Sequence, residues 1–417
     1  LISQVPMTRD ISGRSRSPVS SAWRVRSSPF VRDAIKTAGL TALAVATGAI
    51  GWSGNSLTLP LAFAFPVLWA NSPCRIAAGI VSAGYFLAAS RGLPQGVVNY
   101  FGSGIAEGLA LWLGASLAFV VVHAVLWTSR PGTGRTLRYA AAAILMSVPP
   151  FGIVGWAHPI TAAGIVFPGW RWWGLAAAAI GLLAMTTRVW PIATLVLGGA
   201  FAWSAATWTD PSLPDGWIGL DTGSGGERGK YAGLLQHREA IAAVKAAAAQ
   251  GNKVVVLPEG AAGIWTPTVE RLWVNEIKEV DIVLIAGATL VDRQGYDNVM
   301  VEISGKGARI LYRQRMPVPV SMWQPWLALI DESGGARAHL FENPIIEFGG
   351  ARVAPLICYE QLIVWPILQS ALYMPDIIVA TGNGWWTHGT SIVAIQKSVT
   401  IAWARLFDLP LIMAFNI

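Results

Sequence analysis

The chain has 417 residues, 53% hydrophobic and 13% charged, with 30 Lys/Arg against 23 Asp/Glu and a mean hydropathy of +0.49. Soluble domains carry about a quarter charged residues, so this composition argues against a wholly soluble protein and implies that part of its apolar surface meets lipid. The net charge of +7 comes without a Lys/Arg stripe interleaved with aromatics, which argues against a nucleic-acid-binding face and direct nucleic-acid contact.

Residues 1–36 hold seven Lys/Arg against Asp10 and Asp33 and include the Ser/Arg-rich run 12–28. This segment reads as a disordered, basic, cytoplasmic tail, too long and too polar for the charged part of a signal peptide. Residues 37–209 then hold seven basic residues and one acidic residue, Glu107. Polar punctuation cuts the stretch 37–208 into about seven apolar segments, at 37–52, 57–70, 76–90, 105–127, 139–156, 160–185 and 189–207. Against the ~20 residues needed to cross a bilayer, these predict about seven transmembrane helices. Trp52, Trp69, Trp127, Trp156, Trp190 and Trp208 sit near segment ends, where headgroup anchoring is expected.

Arg75, the cluster Arg130, Arg135 and Arg138, and Arg188 fall in alternate loops, which the positive-inside rule assigns to the cytoplasm. Seven crossings place everything after Trp208 on the opposite face. The expected location is therefore the bacterial inner membrane, multi-pass, with a cytoplasmic N-terminus and a periplasmic C-terminal domain. Arg91 is a dissenting charge. Glu107 is either a functional intramembrane carboxylate or an interfacial one.

A Pro/Gly/Asp-rich linker spans 209–229, and residues 210–417 return to a soluble balance of twenty acidic and sixteen basic residues. From 230 onward the periodicity alternates between helix and strand. Helices are expected at 230–250, 361–373 and 392–407, and strands at 253–257, 282–287, 298–304, 308–314, 353–358, 377–381 and 410–415. This is an α/β layer structure, in which ligands gather at strand ends.

Three such ends carry chemistry. Leu257-Pro258-Glu259-Gly260 puts a carboxylate beyond a buried strand, where burial raises its pKa and suits it to proton transfer. Leu356-Ile357-Cys358-Tyr359-Glu360 puts a thiol at a strand-to-helix turn, where helix N-terminal amides are expected to favour the thiolate. Leu311-Tyr312-Arg313-Gln314-Arg315 ends a third strand with two cations. A thiol nucleophile, a carboxylate base and an oxyanion-stabilising cation together make an acyl-transfer site. The other cysteine, Cys74, belongs to a predicted cytoplasmic loop, so no disulfide joins the two. The five histidines show no pairwise ligand spacing and no phosphate loop or dinucleotide fingerprint occurs, so neither metal nor cofactor is implied.

Taken in order, Leu-Pro-Glu at 257–259, Tyr312 and Arg315 followed by Val318-Pro319, Ile357-Cys358-Tyr359-Glu360, and Gly382-Asn383-Gly384-Trp385-Trp386 resemble the carbon-nitrogen hydrolase (nitrilase) superfamily. With a multispanning half in front, the whole is similar to its membrane-bound acyltransferase members. The run 315–326 is closer still to a branch found in plasmid mating systems. The resemblance implies an α-β-β-α sandwich, Glu259 as general base, Cys358 as nucleophile and Glu360 as a supporting carboxylate. It further implies Arg313, Arg315, Tyr359, Asn383 and Trp385 as substrate-binding or oxyanion residues. Membrane lipid as a partner, a phospholipid acyl donor, a protein amine acceptor and conjugation-apparatus proteins follow from the same resemblance.

Three departures stand out. Gln314 occupies the position of the family lysine and brings no charge, and alternation puts Arg313 and Arg315 on the opposite face of that strand. The acyltransferase run Val-Pro-Phe-Gly-Glu reads Val318-Pro319-Val320-Ser321-Met322 here. Family members also continue past the strand near Phe415, so either this branch is shorter or the sandwich lacks its last strands. Two readings follow: an acyltransferase or amidase acting through a Cys358 thioester, or a catalytically degenerate domain that binds partners in the conjugation apparatus.

Overall fold

The structure is a computed structural model that describes residues 28–154, 156–223, 232–330 and 334–417. Residues 1–27 of the expected tail and 224–229 of the expected linker lie outside the described residues. The rest of that tail is helical: α1 spans Pro29–Gly51, eight residues earlier than apolar content alone indicates. Its start follows from Ser28, whose hydroxyl accepts from Val31 N at 3.3 Å, and from proline in the first turn.

The chain continues through α2 (Phe65–Ala70), α3 (Arg75–Ala89), α4 (Leu93–Phe101), α5 (Ile105–Leu126), α6 (Thr133–Leu145), α7 (Ala163–Val166), α8 (Arg171–Ala184) and α9 (Trp190–Thr207). Three of these, α1, α5 and α9, are long and apolar enough to cross a membrane; α3 and α4, bent by 51°, make a fourth if taken together. Among the described residues the count of seven is thus corrected to three or four. Proline and glycine explain the difference, because they remove helix donors or end helices without lowering apolar content. Segment 57–70 begins as a 3-10 helix, Ser56–Ala64, that contains Pro60. Segment 139–156 is broken at Pro149-Pro150, and 160–185 is interrupted at Pro168-Gly169 before α8.

Four of the tryptophans expected at headgroups are core residues: Trp52, Trp69, Trp127 and Trp156 are all under 9% exposed. Burying an indole is favoured by a partner for its N–H, and three of the four have one. Trp52 donates to the Tyr85 hydroxyl at 2.9 Å, Trp69 to the His123 carbonyl at 2.9 Å and Trp127 to the Trp69 carbonyl at 3.2 Å. The dissenting Arg91 donates to the carbonyls of Trp52 and Ala88, at the C-terminal ends of α1 and α3, where a cation suits the helix dipoles. Glu107 is exposed in the first turn of α5, the complementary position.

The remaining elements are β1 (Trp217–Gly219), α10 (Ala232–Ala249), β2 (Val254–Val256), α11 (Pro267–Ile277), β3 (Val283–Asp292), β4 (Gly295–Ser304), β5 (Gly307–Arg313), β6 (Ile346–Phe348), β7 (Ala351–Ile357), α12 (Val364–Ala371), β8 (Ile377–Asn383), α13 (Ile392–Phe407) and β9 (Leu411–Asn416). They form two sheets, ordered β1-β2-β3-β4-β5 and β6-β7-β8-β9. In the first, β1, β2 and β3 are parallel and β4 and β5 add as antiparallel hairpins; in the second, β7, β8 and β9 are parallel.

Period-2 alternation sorts the strands into layers. Val254, Val256, Ile285, Val353, Ile357, Ile377, Val379, Ile412 and Ala414 fill the space between the sheets. Val255, Leu284 and Val301 turn outward against α10 and α11. Ala354, Leu356, Ile378 and Ala380 turn the other way into a cluster shared by α12, α13 and the N-terminal helices. The α-β-β-α order is therefore continuous with the helical bundle on one side. Contact is closest where α7 meets α13: a Cβ at Gly164 would collide with the Ala402 carbonyl. Arg405 of α13 clamps Asp210 with two hydrogen bonds, at 2.8 and 2.9 Å. Replacing Gly164 by Ala is predicted to destabilise the protein by at least about 1–3 kcal/mol, the usual cost of overpacking, read as a lowered unfolding midpoint in detergent. An unchanged midpoint would show that the two helices are not pressed together.

Candidate active site

Glu259 lies two residues beyond Leu257, whose N–H still bonds the Ile285 carbonyl at 2.8 Å as an extension of β2. The turn passes so close over β3 that a Cβ on Gly287 would collide with Pro258 and Glu259. On the neighbouring β4, Asn298 donates from one amide nitrogen to Glu259 Oε1 at 2.9 Å and to Gln314 Oε1 at 3.0 Å. Gln314, just past β5, donates in turn to the Ile357 carbonyl at 3.1 Å. A buried relay therefore runs from Glu259 to the residue before Cys358, joining one sheet to the other.

Cys358 follows β7 with φ +50°, a left-handed conformation that costs energy for a residue with a Cβ and must be held by its surroundings. The fully buried Glu360 carboxylate does this. It accepts from Ile357 N at 2.7 Å, from the Tyr312 hydroxyl at 2.8 Å, from Arg315 N at 2.6 Å and from Met316 N at 3.1 Å. The thiol is 4% exposed and lies 3.8 Å from Gln396 Nε2. Glu259 and Cys358 line one cleft close enough to influence each other's ionisation, and the Asn383 backbone lies beside both.

Burial raises the Glu259 carboxyl to a pKa of about 7, further pushed by Glu360 and offset by the thiol and Asn383. Burial and the adjacent Glu259 push the Cys358 thiol well above its usual range. This corrects the expectation of a thiolate favoured by a helix start. Cys358 opens a single 3-10 turn, Cys358–Gln361, and α12 begins only at Val364, too late to direct amides at the sulfur. Both effects, burial and the neighbouring Glu259, favour the neutral thiol. Glu259 Oε2 has no hydrogen-bond partner of ordinary geometry among the described residues, leaving an acceptor in place.

The two arginines are placed elsewhere. Arg313 pairs with Asp297, which Arg337 and His339 also hold. Arg315 is fully buried and bonds the Tyr312 hydroxyl and the carbonyls of Pro355 and Pro366 at 2.9–3.0 Å, and Gln369 at 3.1 Å. The expectation that either supplies an oxyanion cation is corrected: strand alternation turns them from the thiol, and each is engaged in a structural network.

Tyr359 bonds the Ile153 carbonyl at 3.0 Å. With Asn383 and Trp385 it lines a cleft of about 710 Å3 that holds Glu259 and Cys358. The cleft extends between α4 and α5, where Leu93, Val97, Ala110, Leu111 and Gly114 make its walls apolar. Asn99 of α4 donates to the Trp386 and His388 carbonyls at 2.9 and 3.0 Å, tying that helix to the loop after β8. Asn298, Gln396 and the α4 contribution went unread in the sequence. A polar residue among apolar positions at the buried end of a strand or on the buried face of α13 was the available signal for the first two.

A sequence profile of the family described as carbon-nitrogen hydrolase matches residues 87–405, so the chain belongs to the carbon-nitrogen hydrolase family. Within it, the chain is 58% identical to conjugal transfer protein TraB of Agrobacterium fabrum, covering 98% of this chain and 100% of the relative. A protein of Sinorhizobium fredii described as a probable conjugal transfer protein TraB is 56% identical over 92% of this chain and 99% of its own length. Among solved structures, an amidase of Nesterenkonia AN1 aligns over 48% of this chain and 75% of its own, with 11% identity and a TM-score of 0.37. A carbon-nitrogen hydrolase of Helicobacter pylori aligns over 48% and 72%, with 14% identity and a TM-score of 0.36.

The raised Glu259 pKa links to stability. Between the ordinary carboxylate value of 4.5 and about 7, the folded protein holds a proton that the unfolded chain has released. Stability is therefore lost as pH rises through that window. Glu259→Gln is expected to remove this dependence and to gain on the order of 3 kcal/mol over wild type at pH 8. Denaturant midpoints at pH 5 and pH 8 check it; a gain equal at both would contradict it. Arg315→Ala, which leaves Glu360 buried and without its neighbouring cation, is expected to cost about 3–5 kcal/mol in the same measurement.

Proposed function

We propose that this protein is a membrane enzyme of plasmid conjugal transfer that moves an acyl group through a thioester on Cys358. The observation that carries this reading is the cleft in which a protonated thiol and its carboxylate base open onto apolar walls contributed by α4 and α5. Such walls suit the chain of a membrane lipid, which makes a phospholipid the acyl donor and a protein amine the acceptor.

Ionised Glu259 takes the thiol proton as sulfur attacks the acyl carbon, and returns it to the leaving alcohol or amine. The Asn383 backbone amide beside both groups is the donor available to the oxyanion, since the family lysine is replaced. An incoming amine, or water in an amidase, then gives a proton to Glu259 and displaces the sulfur, which recovers that proton. Three spans by helix length, an odd number, with a basic first segment, support an inner-membrane protein with a cytoplasmic N-terminus and a periplasmic catalytic domain.

One observation favours a second reading, a degenerate domain that serves the conjugation apparatus by binding. Gln314 is neutral, and both ends of its amide are occupied by Asn298 and Ile357. Mass spectrometry of the protein incubated with phospholipid separates the two. An acyl adduct on Cys358 is expected, formed roughly 10²–10⁴-fold more slowly in Glu259→Gln and absent in Cys358→Ala. No adduct on wild type, together with undiminished plasmid transfer by Cys358→Ala, would replace this reading with the second.

A further inference from the structure

At the end of the bundle away from Cys358, a second pocket of about 520 Å3 is lined by Arg75, Trp127, Thr128, Ser129, Arg130 and Arg138. Ala110, Leu111, Gly114 and Ala115 of α5 line the thiol cleft, whereas Trp127 caps the C-terminal end of that helix, about 18 Å beyond Ala115 at 1.5 Å per residue. The pocket therefore lies beyond the C-terminal end of α5, away from the cleft.

Three elements bring the arginines together: Arg75 is the first residue of α3, Arg130 follows α5, and Arg138 lies in the second turn of α6. Among the described residues none of the three guanidinium groups makes an ion pair or a hydrogen bond. No carboxylate lines the pocket. The acidic residues of 28–154 are Asp33 and Glu107, and Glu107 sits at the far end of α5.

The floor is rigid and aromatic. Trp127 donates to the Trp69 carbonyl, Trp69 packs against Tyr139 with ring centroids 5.3 Å apart, and Arg135 holds the loop by donating to the Ser129 carbonyl at 3.1 Å. Beside it, Ile76, Val125 and Leu137 expose 75%, 57% and 64% of their surface on the same helix ends. Three convergent cations without internal partners, at the mouth of an apolar bundle and next to exposed aliphatic side chains, match a phosphate group attached to an apolar tail.

We propose that this pocket is a phosphate-binding site, filled by the headgroup of an anionic phospholipid or by free phosphate. The site is independent of the chemistry at Cys358. It goes beyond a topological bias of charge because it requires three particular arginines to act together on one ligand.

The test uses the full-length protein in neutral phosphatidylcholine micelles, with binding of phosphatidylglycerol followed by native mass spectrometry. Wild type is expected to retain phosphatidylglycerol over phosphatidylcholine. Arg75→Gln, Arg130→Gln and Arg138→Gln should each weaken retention roughly five-fold, and together abolish the preference. Lysine at the three positions keeps the charge and is expected to retain most of the binding, which separates loss of the site from loss of fold. A parallel arm adds inorganic phosphate: protection of wild type, but not of the triple variant, against thermal unfolding assigns the site to free phosphate, and its absence with lipid retention assigns it to the headgroup. Equal phosphatidylglycerol retention by wild type and the triple variant, together with no phosphate protection that the triple variant loses, would overturn the proposal.

Discussion

The buried relay Glu259–Asn298–Gln314–Ile357 is the constraint on which the rest of the site depends, because it crosses from one sheet to the other where their strand ends meet. Each member is held by its own strand, and a single amide nitrogen on Asn298 serves both Glu259 and Gln314. Such a bond in a buried setting is costly to leave unmade. It therefore fixes the distance between sheets and the orientation of the carboxylate. The Glu360 clamp does the same for the thiol by gathering four donors around a strained turn. Burial raises the pKa of both groups, and the fixed carboxylate raises that of the thiol further, which keeps the proton on sulfur.

The second constraint is the shared core of the outer helix layer and the bundle. Because α13 packs on α7 and α4 is tied to the loop after β8, the cleft cannot be assigned to the sandwich alone. Its catalytic end is polar and its far end apolar. Helices α4 and α5 form the walls of that far end.

Much of this was legible in the sequence. Glu259 and Cys358 announced themselves as polar residues ending apolar strands, and α13 was read with its observed ends. The helix count failed because apolar content cannot register Pro60, Pro149-Pro150 or Pro168-Gly169 as breaks. The strand β1 was read as linker, since three residues among Pro, Asp and Gly form a strand only through pairing with β2. The short β6 owes its existence to pairing with β7 in the same way. The helix α11 carried a readable start, Thr266 capping Val269 with Pro267 following, but its charged face masked the periodicity. Arg315 illustrates the limit most clearly: its type suggested oxyanion chemistry, whereas tertiary packing made it a buried cross-brace.

The central claim is that the nucleophile is reached along an apolar path between α4 and α5. The most direct measurement is the rate at which Cys358 is alkylated by iodoacetamide and by a hexadecyl derivative of it, in the wild type and in Gly114→Phe, which narrows the path. The account predicts a preference for the long-chain reagent of about tenfold or more, abolished in Gly114→Phe while the short reagent reacts as before. Equal rates for the two reagents in the wild type would contradict it.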